Sequence, residues 1–272
     1  MAEKDKKVVV LIPFYKEKLD YNSWFSINQC FKILKDYAIV AIKPLRLNIS
    51  EIMEGFQFND VVSFDDKYFE SIEGYNELML STHFYERFTA YEYMLIYQQD
   101  AFVFADDLQY WCNQGYDYIG APWLYPTSKG ITLGNFSTYI KSYFYRRYNK
   151  LKNNLPVAKQ LHNQVGNGGL SLRRIEKFRE VLIENQALAA SYNARPELEF
   201  NEDIFFSIAI NRKKRSLKVP SYKKALSFAI ETEPQMAIEL NGNQLPFGCH
   251  AWDKNLEFWR PIFKKQGYDI KT

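Results

Sequence analysis

Three short stretches carry the side chains most able to do chemistry. "QQD" (98–100) lies within "YEYMLIYQQDAFVF" (91–104), an aromatic, apolar run with Asp100 near its centre. "NED" (201–203) stands before the apolar "IFFSIAI", and His250 lies in "PFGCHAW". An ionised carboxylate in apolar surroundings is costly unless it is paired, hydrogen-bonded or bound to metal. Asp100 is therefore expected to be a ligand, against the alternative of capping backbone N–H groups at a strand end. Its partner would be His250, which by itself reads equally well as a satisfied core histidine. One carboxylate and one imidazole, completed by substrate phosphates and water, suit Mg²⁺ or Mn²⁺, with the imidazole favouring manganese. The chain has three histidines, so a tri-histidine centre would consume His83, His162 and His250 together.

These groups need elements to hold them. "KKVVVLIPFY" reads as a buried parallel strand ending at Pro13. A helix is expected from about Asn22 to Asp36, then strands in "YAIVAIKP" and "DVVSFD" (60–65). "GYNELMLSTHFYERFT" has helical spacing, and "GYDYIGAPW" (115–123) reads as a strand stopped by Pro122. "VGNGGLSLRR" is a Gly-rich turn leading into a strand, "IEKFREVLIENQALAA" an amphipathic helix, and "LSFAIET" a late strand. "NEDIFFSIAI" opens with cap-type and acidic residues before a helical run. The alternation argues for an α/β sandwich with a mainly parallel sheet. Ligands of such sheets gather beyond the carboxyl ends of the strands, where Asp100 would be delivered. "LYPTSKGITLGNFSTY" (124–139) has no clear period and is expected to form a lid or binding loop. Asp106 and Asp107 are expected to be the N-cap and first-turn residue of a helix rather than ligands.

Composition narrows the class. The 272 residues are 47% hydrophobic and 25% charged, enough for a full core. The 20 Tyr and 21 Phe suit either an aromatic core or a groove for polar, ring-shaped ligands. "VVVLIPF" falls far short of the roughly 18 apolar residues of a membrane span. "MAEKDKK" lacks the apolar core of a signal peptide, so a cytoplasmic location is expected, at most peripheral at the inner membrane face. Cys30, Cys112 and Cys249 suggest neither a disulfide framework nor a zinc knuckle. Net charge is +3, yet basic residues cluster at 141–154 and 211–218. Such runs are ordinarily solvated faces; the functional alternative is contact with phosphates of a lipid-linked acceptor or an anionic membrane. Nucleic acid is not expected, because no binding motif accompanies the charge. There is no GxxxxGK[ST], no G-x-S-x-G, and "GNGGLS" has Ser171 where a dinucleotide fingerprint needs glycine.

The order of an apolar strand with Asp100, the Gly-rich "GNGGLSLRR", the acidic "NEDIFF" and the late "PFGCHAW" resembles the GT-A fold glycosyltransferases. It looks particularly like a family of bacterial proteins associated with surface-polysaccharide synthesis. The resemblance runs from about Val8 to Trp252 and implies a Rossmann-related GT-A-like α/β/α sandwich over residues 1–272. The nucleotide-sugar half would span about 8–123 and the acceptor and catalytic half about 124–272. It further implies metal ligation by Asp100 and His250 on a sugar nucleotide's diphosphate, with a UDP- or GDP-type donor. A glycan or lipid-linked glycan would be the acceptor. The triplet would supply the catalytic base of an inverting transfer, Asp203, with Glu202 in support, and a retaining transfer stays open. One departure stands out: the first acidic position of the D-x-D motif is Gln98, which adds no charge, so weak metal affinity or partial metal independence is expected.

Pro13, Tyr15, Lys43, Asn76, Gln98 and Gln99 are assigned to the donor nucleotide. Gly168 and Gly169 would let backbone approach the donor or acceptor sugar. Trp123 and Trp252 read either as sugar-stacking platforms or as core. Two rivals stay open, a nucleotidyltransferase of similar topology and a non-catalytic carbohydrate-binding protein. The first would normally show an early glycine-rich signature, which "PFYKEKLDYN" lacks.

Overall fold

The computed structural model describes residues 7–125, 129–130, 132–268 and 270. A six-stranded sheet carries the molecule. Strands β1 (Val8–Pro13), β2 (Ala38–Pro44), β3 (Asp60–Phe64) and β4 (Tyr93–Tyr97) run parallel in the order β3-β2-β1-β4. The strand Leu170–Arg174 lies antiparallel to β4, and Tyr118–Ile119 completes the sheet on its far side. This is a mixed, mainly parallel α/β sheet, as the sequence pattern implied.

Both faces of the sheet are buried, which explains the unbroken apolar runs. Val8, Val10 and Ile12 face one core with Ile27, Cys30 and Leu34 of the first helix and its flank. Val9 and Leu11 face the other core, with Leu78, Phe84, Phe178 and Phe206. β4 alternates likewise, Leu95 and Tyr97 to one side and Met94 and Ile96 to the other. That first helix, Tyr21–Ile33, is capped by Asp20, whose side chain accepts from the Ser23 N–H at 2.8 Å.

The run 91–104 is not one strand. β4 stops at Tyr97, the chain turns through 98–101, and Phe102–Val103 joins a separate sheet with Ala229–Ile230 and Gly248–Cys249. Phe102 pairs with Cys249, so the strand just after Asp100 is zipped to the strand just before His250. The turn between two sheets, and not strand burial, is what places Asp100.

Other elements are shorter than expected. Residues 74–89 form two helices, Ile72–Met79 and Thr82–Glu86, because Ser81 starts the second by accepting from the Phe84 N–H at 3.3 Å. The helix from Ile175 breaks at Asn185 into Ile175–Glu184 and Gln186–Asn193. "GYDYIGAPW" splits into two short strands that belong to different sheets. Within 124–139, residues 126–128 and 131 lie outside the described residues, and Phe136 begins a helix that runs to Arg147. Asp107 occupies an N-cap position without a side-chain capping bond, and Asp106 accepts from the Tyr37 hydroxyl at 2.9 Å. The expected capping pair is thus a cap by position only. Cys30, Cys112 and Cys249 are buried, and among the described residues they form no disulfide. No described helix is long and apolar enough to cross a membrane.

Candidate active site

The carboxyl ends of β1 and β4 and the start of the antiparallel strand at Leu170 meet at one edge. There the Gln98 N–H donates to the Gly169 carbonyl at 2.8 Å, locking the turn after β4 to the Gly-rich loop. His250 reaches the same point from the second sheet. Its Nε2 lies 3.0 Å from Asp100 Oδ1 and 3.1 Å from Gln98 Oε1, while Nδ1 faces Glu231 Oε1 at 3.5 Å. The sequence-predicted pair therefore converges. Glu231 was missed: it lies in the unremarkable "AIETE", and nothing but the fold brings it behind the imidazole.

Burial alone would lower the His250 pKa, but hydrogen bonds and charge from Asp100 and Glu231 outweigh it and raise it to about 10. Burial acts against the charge of Asp100, and His250 overcomes this to hold its pKa below the usual carboxylate range. Once Nε2 gives up its proton, Asp100 Oδ1, Gln98 Oε1 and His250 Nε2 present mixed oxygen and nitrogen donors at one spot, with the Glu231 carboxylate 3.5 Å behind the ring. That pattern of a carboxylate behind a ligating histidine fits a divalent cation. Among the described residues no three His, Cys, Asp or Glu side chains group as a metal-binding set, so phosphates and water would have to complete the shell.

The Gly-rich loop is packed from behind by the protein itself. A Cβ at Gly169 would stand 1.9 Å from His250 Nε2, one at Gly168 2.3 Å from Glu202 Oε1, and one at Gly166 1.8 Å from the Trp123 ring. The glycines are required because three side chains of the site crowd the loop backbone. Asn167, with φ of 63°, turns the loop, and its Oδ1 accepts from the Gly169 N–H at 3.0 Å.

The acidic triplet divides into two unlike residues. Glu202 is buried and pairs with Arg173, Oε1 to Nη2 at 2.8 Å. Arg173 is fully buried and also donates to Ser171 Oγ at 3.0 Å and to the Tyr85 hydroxyl at 3.1 Å. This arginine was missed, although a charge inside the apolar "GLSLRR" strand is the same signal that marked Asp100. The Glu202 Oε2 atom is buried without a hydrogen-bond partner. Asp203 is half-buried; burial first, then the charge of Glu202, push its pKa up to about 7. Asn201 does not cap the helix with its side chain as expected. Instead Asn76 clamps the triplet, its Oδ1 accepting from the Glu202 N–H at 3.1 Å and its Nδ2 donating to Asn201 Oδ1 at 2.9 Å.

Three cavities adjoin this edge. A cleft of about 530 Å³ is lined by Tyr15, Asn76, Gln98, Gly169, Asp203 and His250, with Lys254 at its border. A second, of about 340 Å³, continues past Tyr15, Asn22, Gln99 and Asp100. On the other side of Asp203 lies an apolar cavity of about 220 Å³, lined by Trp123, Val157, Leu161, Ile204 and Ile208. Asp203 borders both the first cleft and the apolar cavity.

Several assignments change. Trp252 is fully buried, donates from Nε1 to Ser26 Oγ at 2.9 Å and packs edge-on against Phe25 and Phe263, so it is a core residue that underlies the second cleft. Lys43 lies outside the clefts, its Nζ held by the Pro44 and Leu45 carbonyls at 3.1 and 3.4 Å. Pro13 is buried and serves through its carbonyl, which accepts from Gln99 Nε2 at 2.8 Å. Trp123 stays at a cavity wall, over Gly166.

A family model described as "Protein of unknown function (DUF5672)" matches residues 59–250, and the chain belongs to that family. No curated protein matches it. Among solved structures it is similar to the galactosyltransferase LgtC in complex with donor and acceptor sugar analogues, with a TM-score of 0.53 and 11% identity over 89% of this chain and 86% of that one. It is also similar to mouse xyloside xylosyltransferase 1 in its apo form, with a TM-score of 0.50 and 11% identity over 91% and 98% of the two chains. The fold is that of the GT-A glycosyltransferases.

Proposed function

We propose that this DUF5672 protein transfers a glycosyl group from a nucleotide-diphosphate sugar to a hydroxyl of a glycan acceptor, with inversion at the anomeric carbon. The observation that carries this is Asp203. It is a half-buried carboxylate with a pKa near 7, and it stands between a polar cleft and a separate apolar cavity. A general base works best when its pKa lies near the operating pH, and this one can hold a proton taken from an attacking hydroxyl. The donor would lie along the two polar clefts, its nucleotide toward Tyr15 and Gln99 and its diphosphate toward Asp100 and His250. Gln98 would hydrogen-bond a donor hydroxyl.

Asp100, His250 and the Gln98 amide oxygen would hold Mn²⁺ or Mg²⁺, Glu231 fixing the ring that ligates it. A bound divalent ion supplies charge to offset the leaving diphosphate. Because His250 is held protonated, its Nε2 must lose a proton to ligate, which favours binding at higher pH. The acceptor would approach from the apolar cavity, with Trp123 as a stacking wall for a sugar ring. The surface-polysaccharide setting comes from the sequence resemblance, and lipid-linked glycans belong to the same acceptor class.

Thermal-shift measurements with UDP-, GDP-, CMP- and dTDP-sugars, with and without Mn²⁺, test the donor. A hundredfold excess of ligand over Kd stabilises a fold by about 2.7 kcal/mol, so the cognate base would stand out. Slow release of nucleotide diphosphate should accompany it. A panel with no stabilising nucleotide and no such release would remove the transferase reading and favour a carbohydrate-binding protein.

A further inference from the structure

The helix Phe136–Arg147 is amphipathic in the reverse of the usual sense. Its protein-facing side is polar: Ser142 is buried, its hydroxyl donating to the Thr138 carbonyl at 2.8 Å and meeting His162 Nδ1 at 3.3 Å. Arg146 reaches the Gln160 carbonyl at 3.5 Å from the same side. The apolar side is largely exposed, Tyr139 and Tyr143 at its edge also walling a cavity of about 440 Å³ with His162 and Tyr222. Phe136, Tyr139, Ile140, Tyr143 and Phe144 are 38–53% exposed, and Tyr148, just past the helix, is 73% exposed. Their spacing places them together on one face of the helix. A contiguous outward apolar face marks an interaction site and would be a liability if left bare.

Charge identifies what covers it. From residue 118 to residue 175 the chain contains no Asp or Glu. Lys141 flanks the aromatic face, Arg147 closes it at its C-terminal end with Nη1 donating to the Arg212 carbonyl at 2.5 Å, and Lys150 and Lys152 follow, all exposed. Aromatic rings with polar tips set among lysine and arginine, in a tract with no carboxylate of its own, suit the headgroup boundary of an anionic bilayer. A protein partner of ordinary composition gives no reason for a carboxylate-free tract of this length. We propose that Phe136–Tyr148 is an interfacial helix that docks this protein on an anionic phospholipid surface, aromatic side inward to the lipid. The helix packs against the turn Ala158–Leu161, which also walls the apolar cavity beside Asp203. The proposal goes beyond the transferase reading and does not need it, since no nucleotide or acceptor enters the argument.

Vesicle sedimentation tests it with the full chain. The protein should pellet with vesicles of phosphatidylcholine and phosphatidylglycerol, far less with phosphatidylcholine alone, and less as salt rises. The triple variant F136S/I140S/F144S should weaken anionic-vesicle binding at least about tenfold while keeping the wild-type melting temperature. Should that variant melt early, K150E/K152E alters charge outside the helix and must also weaken binding. Wild-type protein that stays in solution with both vesicle types overturns the proposal, as does unchanged binding by the charge variant. A concentration-dependent dimer, lost in the same triple variant, would assign the face to a second copy and equally overturn it.

Discussion

Two ionic clusters stand within one sheet edge and differ in access to solvent. Arg173 is fully buried among Tyr85, Phe178 and Phe206, and Glu202 pairs with it at the cleft wall with only 5% of its side chain exposed. Asp100, His250 and Glu231 meet beside an open cleft, and the Asp100 side chain is 37% exposed. A sealed pair cannot exchange partners, so its role is to fix geometry. Here it holds the residue beside Asp203 and presses against the Gly168 backbone. An open pair can surrender its mutual contact to an incoming cation or phosphate. The same residue types therefore build scaffold in one place and a candidate site in the other, and burial decides which.

The sharpest way to break this contrast is to remove one partner of each pair. Arg173→Leu should strand the Glu202 carboxylate and cost about 3–5 kcal/mol, the range for breaking a buried pair. Chemical denaturation would show it, and a loss no larger than that of a surface pair would mean the cluster is not sealed. Asp203→Asn comes next: transfer should fall at least about a hundredfold, near 3 kcal/mol of barrier, with nucleotide affinity unchanged. Equal turnover in Asp203→Asn and wild type would deprive the inverting mechanism of its base.

Asp203 also makes a pH statement. Activity should rise through an apparent pKa near 7, and the Asn variant should lose that limb. For stability the sign is opposite. A carboxyl whose folded pKa lies above its unfolded value opposes folding increasingly as pH rises from the unfolded to the folded pKa, and fully beyond it. Asp203→Asn should therefore melt higher than wild type above pH about 7, with the gain vanishing in acid. A melting difference independent of pH would show that Asp203 is not shifted.

Smaller effects belong to the open cluster. Asp100→Asn should abolish the Mn²⁺ dependence of nucleotide binding yet change stability by less than about 1 kcal/mol, since the pair is partly solvated. Retained metal-dependent affinity would exclude Asp100 from the ligand set. His250→Ala should weaken the metal response less, because phosphate and water can refill one position. Gln98→Ala should do least, a few-fold at most in donor affinity.

Sequence alone determined the parallel strands, because burial on both faces demands continuous apolar runs such as "VVVLI". It also exposed Asp100, a charge in a run that otherwise excludes charge, and the same logic applied to Arg173 would have marked the sealed pair. His250 was found because Asp100 needed a partner. The tertiary structure decided everything that depended on neighbours distant along the chain. Trp123 and Trp252 look alike in sequence; one stays partly exposed at a cavity wall over Gly166, and the other is enclosed by Ser26, Phe25 and Phe263 beneath the second cleft. Glu202 and Asp203 are adjacent acids at the cleft, and the position of Arg173, 29 residues away, ties one of them into a buried ion pair. Glu231 joined the site because two short strands pair across the molecule, and local pattern carries no trace of such pairing.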